Sequence, residues 1–254
     1  MAGFKVGIQL QPQHTTMADL RTAWRDADAM GADSIWTWDH FYPLYGDADG
    51  AHFEGWVTLA AMAADTRSAQ VGMLVTGNTY RNPELLADMA RTLDHVSDGR
   101  ACLGIGAGWF ERDYDEYGYE FGTPGSRLRA LEASLVRIRT RLAALNPAPV
   151  GRLPIMIGGG GEKVTLRITA QFADQWNTFG PPENFAHKNA VLDRWCTEVG
   201  RDPAEIERTV GINASELDAV EAYLEAGADH LILMTGTQGA FDLSALEKLL
   251  AIRG

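Results

Sequence analysis

The sequence predicts a (β/α)8 barrel, and three observations carry that expectation. Apolar strand-like runs alternate with amphipathic helix-like segments eight times along the chain, the alternation that builds a parallel sheet. No Pro-, Gly- or Ser-rich linker breaks the series, so residues 1–254 read as one barrel domain. A doubly wound open sheet, the competing architecture, would carry a phosphate fingerprint after its first strand. Gly7-Ile8-Gln9-Leu10-Gln11 does not supply GxGxxG.

Residues 4–10 form the first expected strand. Thr15 or Thr16 caps a helix that runs to Met30 and stops at Gly31. The second strand, 34–38, ends in Asp39-His40, and a helix over 56–65 follows a Pro/Gly loop. The third strand is 70–76; Asn82-Pro83 then opens a helix that reaches Ser97. Residues 101–105 make the fourth strand and run into Gly106-Ala107-Gly108 and a segment rich in aromatics. Leu128, Leu131, Leu135, Ile138 and Leu142 recur at helical spacing over 126–145. The fifth strand, 154–157, is closed by Gly158, Gly159, Gly160 and Gly161, and a helix is expected over 162–172. The sixth strand is 174–177, followed by a helix from Pro181-Pro182 to Val199. The seventh, 206–213, is the weakest pattern; Ser215 caps the next helix, to Ala226. The last strand is 230–234 and the last helix 243–252. Asp33, Asp174 and Asp229, each just before an apolar strand, suit helix-to-strand turns.

Composition narrows the function. With 34 acidic against 22 basic residues the net charge is −12, which argues against general binding to nucleic acid or anionic membranes. No apolar run approaches the roughly 20 residues of a membrane span, and the start of the chain lacks a signal-peptide pattern. A cytoplasmic location, with Cys102 and Cys196 as reduced packed thiols, is the expectation.

In such a barrel the chemistry gathers at the strand C-terminal ends. Four consecutive glycines before a helix suit a phosphate, because their backbone N–H groups can converge on an anion. His40 is the acid/base candidate, since its side chain exchanges a proton near neutral pH, and Asp39 beside it can hold its charge or bind a ligand hydroxyl. Thr76-Gly77-Asn78 offers small polar groups at the third strand end, and Trp109 to Phe121 supplies flat apolar surface. His14, His52 and His187 read as rim residues, His95 and His230 as structural. The histidines and carboxylates lack metal spacing, and there is no nucleophile elbow. A phosphate cradle, an aromatic wall and one histidine point to a phosphorylated cofactor that carries the chemistry itself.

An ordered set of segments then resembles a known family. It comprises Trp36-Thr37-Trp38-Asp39-His40-Phe41, Leu74-Val75-Thr76-Gly77, Tyr80-Arg81-Asn82-Pro83, Leu103-Gly104-Ile105-Gly106-Ala107-Gly108-Trp109, Pro154-Ile155-Met156-Ile157-Gly158-Gly159 and Ala173-Asp174-Gln175-Trp176-Asn177. The set is similar to the bacterial-luciferase-like oxidoreductases, especially the branch that uses the deazaflavin coenzyme F420. The resemblance implies hydride exchange between F420 and a small organic substrate, or, as the alternative, FMN-linked oxygenation; a flavin-binding barrel without turnover is the non-enzyme alternative. It also implies a homodimer. Carried over by position, Asp39, His40 and Thr76 match cofactor contacts, with His40 a proton donor. Met73-Leu74 falls where the family often has a non-proline cis peptide. Ala107 and Gly108 match backbone contacts beside the cofactor tail, and Gly158 to Gly161 match the phosphate loop. Two features depart from the pattern. Trp109 stands where sugar-phosphate dehydrogenases of the family carry a catalytic glutamate, and the late part of the barrel is short.

Overall fold

A computed structural model of the protein describes residues 3–236 and 239–254. Its nine parallel strands are β1 (Lys5–Leu10), β2 (Ser34–Thr37), β3 (Gln70–Met73), β4 (Thr76–Gly77), β5 (Ala101–Gly106), β6 (Ile155–Gly158), β7 (Gln175–Phe179), β8 (Glu207–Ile212) and β9 (His230–Thr235). The helices are α1 (Met17–Ala29), α2 (Gly55–Asp65), α3 (Pro83–Val96), α4 (Glu111–Tyr117), α5 (Pro124–Ala144), α6 (Thr165–Phe172), α7 (Pro182–Val199), α8 (Val220–Glu225) and α9 (Ser244–Arg253). The strands close into one ring: β1 pairs with β2 and β9, and β5 pairs with both β3 and β4. The expected third strand, 70–76, is therefore one barrel position in two pieces, interrupted at a cis Leu74–Val75 peptide. The family resemblance implies such a bond at Met73-Leu74, and the structure has it one residue on.

Local chemistry explains the starts of the elements. Thr16, rather than Thr15, caps α1, its Oγ1 accepting from Asp19 N–H at 3.1 Å. Asn82 caps α3, with Pro83 in the first turn. The three turn aspartates share one task. Asp33 accepts from Val6 N–H at 2.8 Å, Asp174 from Ile155 N–H at 2.9 Å and Asp229 from Arg208 N–H at 2.9 Å. Each therefore pins the start of the strand that precedes its own around the barrel.

Alternation along each strand sorts two cores. Ile8, Ile35, Val71, Ile105, Ile157 and Leu233 face the helices and join the large outer core. Trp36, Leu74, Cys102, Met156 and Ile232 form a separate buried layer in the lumen, with Val75 against it. Towards the strand N-termini the lumen turns polar. Ser34 Oγ lies 2.8 Å from His230 Nε2, His230 Nδ1 lies 2.8 Å from Glu207 Oε1, and Lys5 Nζ donates to Glu207 at 2.7 Å. These residue types could form a nucleophilic triad, but Ser34 is fully buried, takes Trp36 Nε1–H at 2.6 Å, and lies at the opposite end from the mouth. They form a satisfied polar plug, which gives His230 the structural place expected of it.

Three segments differ from the sequence expectation. The aromatic stretch after β5 contains α4, because Gly118 supplies a left-handed C-cap. The turn after Gly161 delays α6 to Thr165. In the seventh unit, a 3-10 segment (Ala214–Ala219) and the six-residue α8 replace the single helix expected from Ser215 to Ala226. Among the described residues no helix is long and apolar enough to cross a membrane.

Candidate active site

The C-terminal ends of β2 to β7 surround a hollow of about 330 Å³. Small-molecule pockets run from about 300 to 1,000 Å³, so this one suits the ring portion of a larger ligand. Leu74 and Val75 floor it, continuing the apolar lumen layer. Gly77, Gly106, Ala107, Gly108, Gly158 and Gly159 line it, and Asp39, His40, Thr76, Tyr80, Trp109, Thr165, Asn177 and Phe179 complete the lining. Side chains at Gly106 and Gly158 would crowd Val75, with a Cβ only 2.8 Å and 3.0 Å from its methyl groups. Glycine at these two positions is what lets the strands close on Val75.

The structure thus brings Asp39, His40, Leu74, Thr76, Ala107, Gly108, Gly158 and Gly159 to one hollow. Met73 is absent from it. Its side chain alternates outward into the buried core, where its Cε approaches Gly55, and Val75 faces the hollow instead. Gly160 and Gly161 lie beyond the lining, in the turn that leads to α6. In that turn Gly159 N–H is already used, donating to Asn177 O at 2.9 Å; among the described residues the Gly160 and Gly161 amides meet no protein acceptor. The amides of the glycine run that are open among the described residues therefore lie in its second half.

The carboxylate bonded to His40 is also not the one that adjacency suggests. Asp39 turns from His40 to Arg81, whose guanidinium grips it at 2.5 and 2.9 Å and reaches Glu54 at 3.1 Å. Burial pushes the Asp39 carboxyl up to about 6, against the pull of Arg81. The carboxylate that meets His40 is Asp113, fully buried on α4: its Oδ2 lies 2.7 Å from His40 Nδ1 and accepts from Tyr80 Oη at 2.9 Å. Its Oδ1 accepts from Phe41 N–H at 3.0 Å. Burial and then Asp113 hold the Tyr80 phenol well above its ordinary range, so it stays a donor. Anchored through Nδ1, His40 keeps Nε2 without a protein partner among the described residues. Sequence reasoning missed Asp113 because it sits 73 positions from His40 on a helix not anticipated there. Its one signal was an acidic residue inside the aromatic stretch.

The remaining site residues are held from behind. Trp56 Nε1 donates to Thr76 Oγ1 at 3.0 Å, and Asn177 Nδ2 donates to Thr209 Oγ1 at 2.8 Å. Gly108 adopts φ +82°, where a Cβ would overlap the Tyr114 hydroxyl that bonds Thr79. Arg127 Nε donates to Gly108 O at 3.1 Å and its guanidinium covers Phe121 at 3.9 Å. Most of the aromatics pack on one another away from the hollow, with Phe41 stacked on Tyr117 at 4.2 Å. Trp109 does reach the mouth, its ring edge-on to His40 at 5.7 Å, and remains 64% exposed. Among the rim histidines, His52 is partly buried, accepts from Trp38 Nε1 at 2.9 Å, and is pushed down to about 4 by burial. No set of three or more His, Cys, Asp or Glu among the described residues is arranged to hold a metal.

A closed (β/α)8 barrel with a backbone-walled slot and an anchored histidine at its mouth has the architecture of a barrel enzyme. The luciferase-like monooxygenase family matches residues 1–242, and the chain belongs to that family of oxidoreductases. Its curated relatives include the phthiodiolone/phenolphthiodiolone dimycocerosates ketoreductase of Mycobacterium tuberculosis, 29% identical over 247 residues. That match takes in 81% of this chain and 64% of the relative, so the chain spans under two thirds of it. The ketoreductase of Mycobacterium sp. strain JLS is also 29% identical, over 89% of this chain and 70% of its own length. Among solved structures, an F420-dependent secondary alcohol dehydrogenase in complex with an F420-acetone adduct superposes with TM-score 0.87 at 16% identity, over 98% of both chains. The F420-dependent tetrahydromethanopterin reductase of Methanopyrus kandleri gives 0.79 at 16%, over 98% of this chain and 97% of its own. A type II Baeyer-Villiger monooxygenase from Pseudomonas putida in complex with FMN gives 0.67 at 16%, over 83% and 67%. At these identities the structural likeness concerns the fold.

Proposed function

We propose that the protein is an F420-dependent oxidoreductase that exchanges a hydride with a small carbonyl or alcohol substrate. One observation carries this reading: His40, tied to buried Asp113 through Nδ1, lines a hollow together with Leu74 and Val75 and keeps Nε2 open. The glycine-lined slot accommodates a planar ring system, and the open amides of Gly160 and Gly161 suit the phosphate of its tail. When bound, a deazaflavin supplies the hydride donor or acceptor. Leu74, Val75, Ala107, Gly108 and Gly158 hold the ring portion, with Thr76 and Asp39 at its polar edge. Met73 supports this floor from behind. His40 Nε2 gives or takes the proton at the substrate oxygen, and Asp113 stabilises the imidazolium and fixes its orientation. The ketoreductase activity named for the mycobacterial relatives is the same class of carbonyl chemistry.

Titration of the purified protein with F420 and with FMN, followed by fluorescence, tests the reading. F420 is expected to bind and FMN to bind weakly or not at all. Retention of FMN with no F420 binding overturns it in favour of flavin-linked oxygenation. Gly160→Asp places a carboxylate beside the open amides and is expected to weaken F420 binding; unchanged affinity moves the phosphate elsewhere. Gly159 is a poor test position, because its φ of +123° strains any side chain there.

A further inference from the structure

The glycine turn after β6 leads out of the hollow and meets α7. Gly159 and Thr165 line the hollow, and Gly160 and Gly161 lie between them in the chain. Two hydroxyls reach this turn. A Cβ on Gly160 would lie 3.0 Å from Thr178 Oγ1, and one on Gly161 would lie 2.7 Å from Thr165 Oγ1. Thr178 is 7% exposed and Thr165 8%, yet among the described residues neither hydroxyl has a protein partner. Buried hydroxyls left open call for a ligand group or ordered water. They stand beside the open amides of Gly160 and Gly161, so the turn gathers N–H and O–H donors in one place.

A cation from α7 stands over the same turn. Lys188 Cδ and Cε lie 3.8 Å from the Cβ position of Gly160, and Lys188 Nζ donates to Glu162 Oε1 at 2.6 Å. The same carboxylate oxygen lies 3.1 Å from His187 Nε2, and Trp195 Nε1 donates to Glu162 O at 2.7 Å. Glu162 is thereby fastened to α7 by both backbone and side chain. Lys188 and then His187 hold its carboxyl below the ordinary glutamate range, so it is ionised at neutral pH. Lys163, next in the turn, is exposed and meets no carboxylate among the described residues. Two lysines against one glutamate leave the turn a single positive charge.

We infer that Lys188, Thr165 and Thr178 complete an anion site on the amides of Gly160 and Gly161, and that Glu162 tunes this site to a singly charged phosphodiester in preference to a doubly charged phosphomonoester. The amides, the hydroxyls and the ammonium group satisfy phosphate oxygens. The Glu162 carboxylate beside Lys188 Nζ opposes a second negative charge on the ligand. The inference rests on the proposed function, which places the phosphate of the cofactor tail at this turn. The phosphate of F420 joins two groups and is a diester, whereas that of FMN ends its chain and is a monoester. Charge at the turn therefore discriminates between two cofactors whose rings have similar shapes.

Two probes that share a phenyl ring separate the charges: phenyl phosphate and methyl phenyl phosphate. At about pH 8 the first is a dianion, since a phosphomonoester loses its second proton near pH ~6, and the second is a monoanion. Their binding to the full chain is read from the amide shifts of Gly160 and Gly161 in NMR titrations. The diester is expected to bind at least about threefold more tightly than the monoester. Glu162→Gln is expected to raise monoester affinity about tenfold and diester affinity about threefold, because the repulsion scales with ligand charge. Lys188→Met should weaken both by about fivefold or more. Shifts at neither amide, a monoester that binds wild type as tightly as the diester, equal gains in Glu162→Gln, or unchanged affinities in Lys188→Met overturn the inference. F420 titration of the same proteins keeps the two readings apart. Diester binding at the turn without F420 binding retains the anion site and sinks the cofactor assignment. F420 binding that leaves both amides unshifted retains the cofactor and sinks the site.

Discussion

Asp113 and His40 form the central contact of the site: Oδ2 of a fully buried carboxylate lies 2.7 Å from Nδ1 of a histidine at the wall of the hollow. A hydrogen bond on one ring nitrogen sets the tautomer and dedicates the other to the ligand. Tyr80 and the Phe41 amide hold Asp113 in turn, so the imidazole is supported by three elements of the barrel mouth.

His40→Ala is expected to lower turnover by about 10²–10⁴-fold while changing F420 affinity little. Asp113→Asn keeps the shape but removes the charge, and is expected to lower kcat roughly tenfold or more with a smaller change in KM. Steady-state kinetics of the two variants measures both. Equal turnover in His40→Ala removes the residue from the chemistry.

Asp39 carries a pH signature of its own. Its folded value, raised to about 6 by burial, lies above the ordinary carboxyl range, so the folded protein holds this proton more tightly than the unfolded chain. The stability it contributes is full below about pH 4 and is lost as pH rises through about 6. Melting curves of wild type and Asp39→Asn should therefore converge at low pH and diverge between these values. Arg81→Ala strands the buried carboxylate and is expected to cost about 3–5 kcal/mol near neutral pH.

Glu207 behaves in the opposite sense. Desolvation opposes its ionisation, but His230 and Lys5 outweigh it and hold the carboxyl down to about 2. Its contribution is present above the ordinary glutamate value and is lost as pH falls through about 2. In denaturant titrations the stability gap between wild type and Glu207→Gln is expected to be widest at neutral pH and to close in acid. A gap independent of pH would show that the polar plug does not depend on this charge.

Gly108→Ala tests the left-handed turn at the mouth. The new methyl meets the Tyr114 hydroxyl at a backbone angle that costs about 1–3 kcal/mol for a side chain. The melting temperature is expected to fall, and Tyr114→Phe in the same chain should restore part of it by removing the overlapping oxygen. No recovery would assign the whole effect to the backbone.

Strand and helix order was legible from the sequence because each apolar run is bounded by a turn signal whose chemistry is local. Asn82-Pro83 opens α3, Gly31 follows α1, and Asp33, Asp174 and Asp229 staple strand starts. His40 and the small residues at the strand ends were legible for a similar reason, since a parallel barrel gathers all its strand ends on one face. Tertiary structure alone decided which groups meet there. It turned Asp39 to Arg81 and brought Asp113 to His40, a pairing between positions 73 apart that no local pattern encodes. It replaced Met73 by Val75 at the hollow, because the interruption after β3 reverses which residues face inward. It also brought Phe179 and Met234 over Gly211, an arrangement of three neighbouring strands that exists only once the barrel is closed.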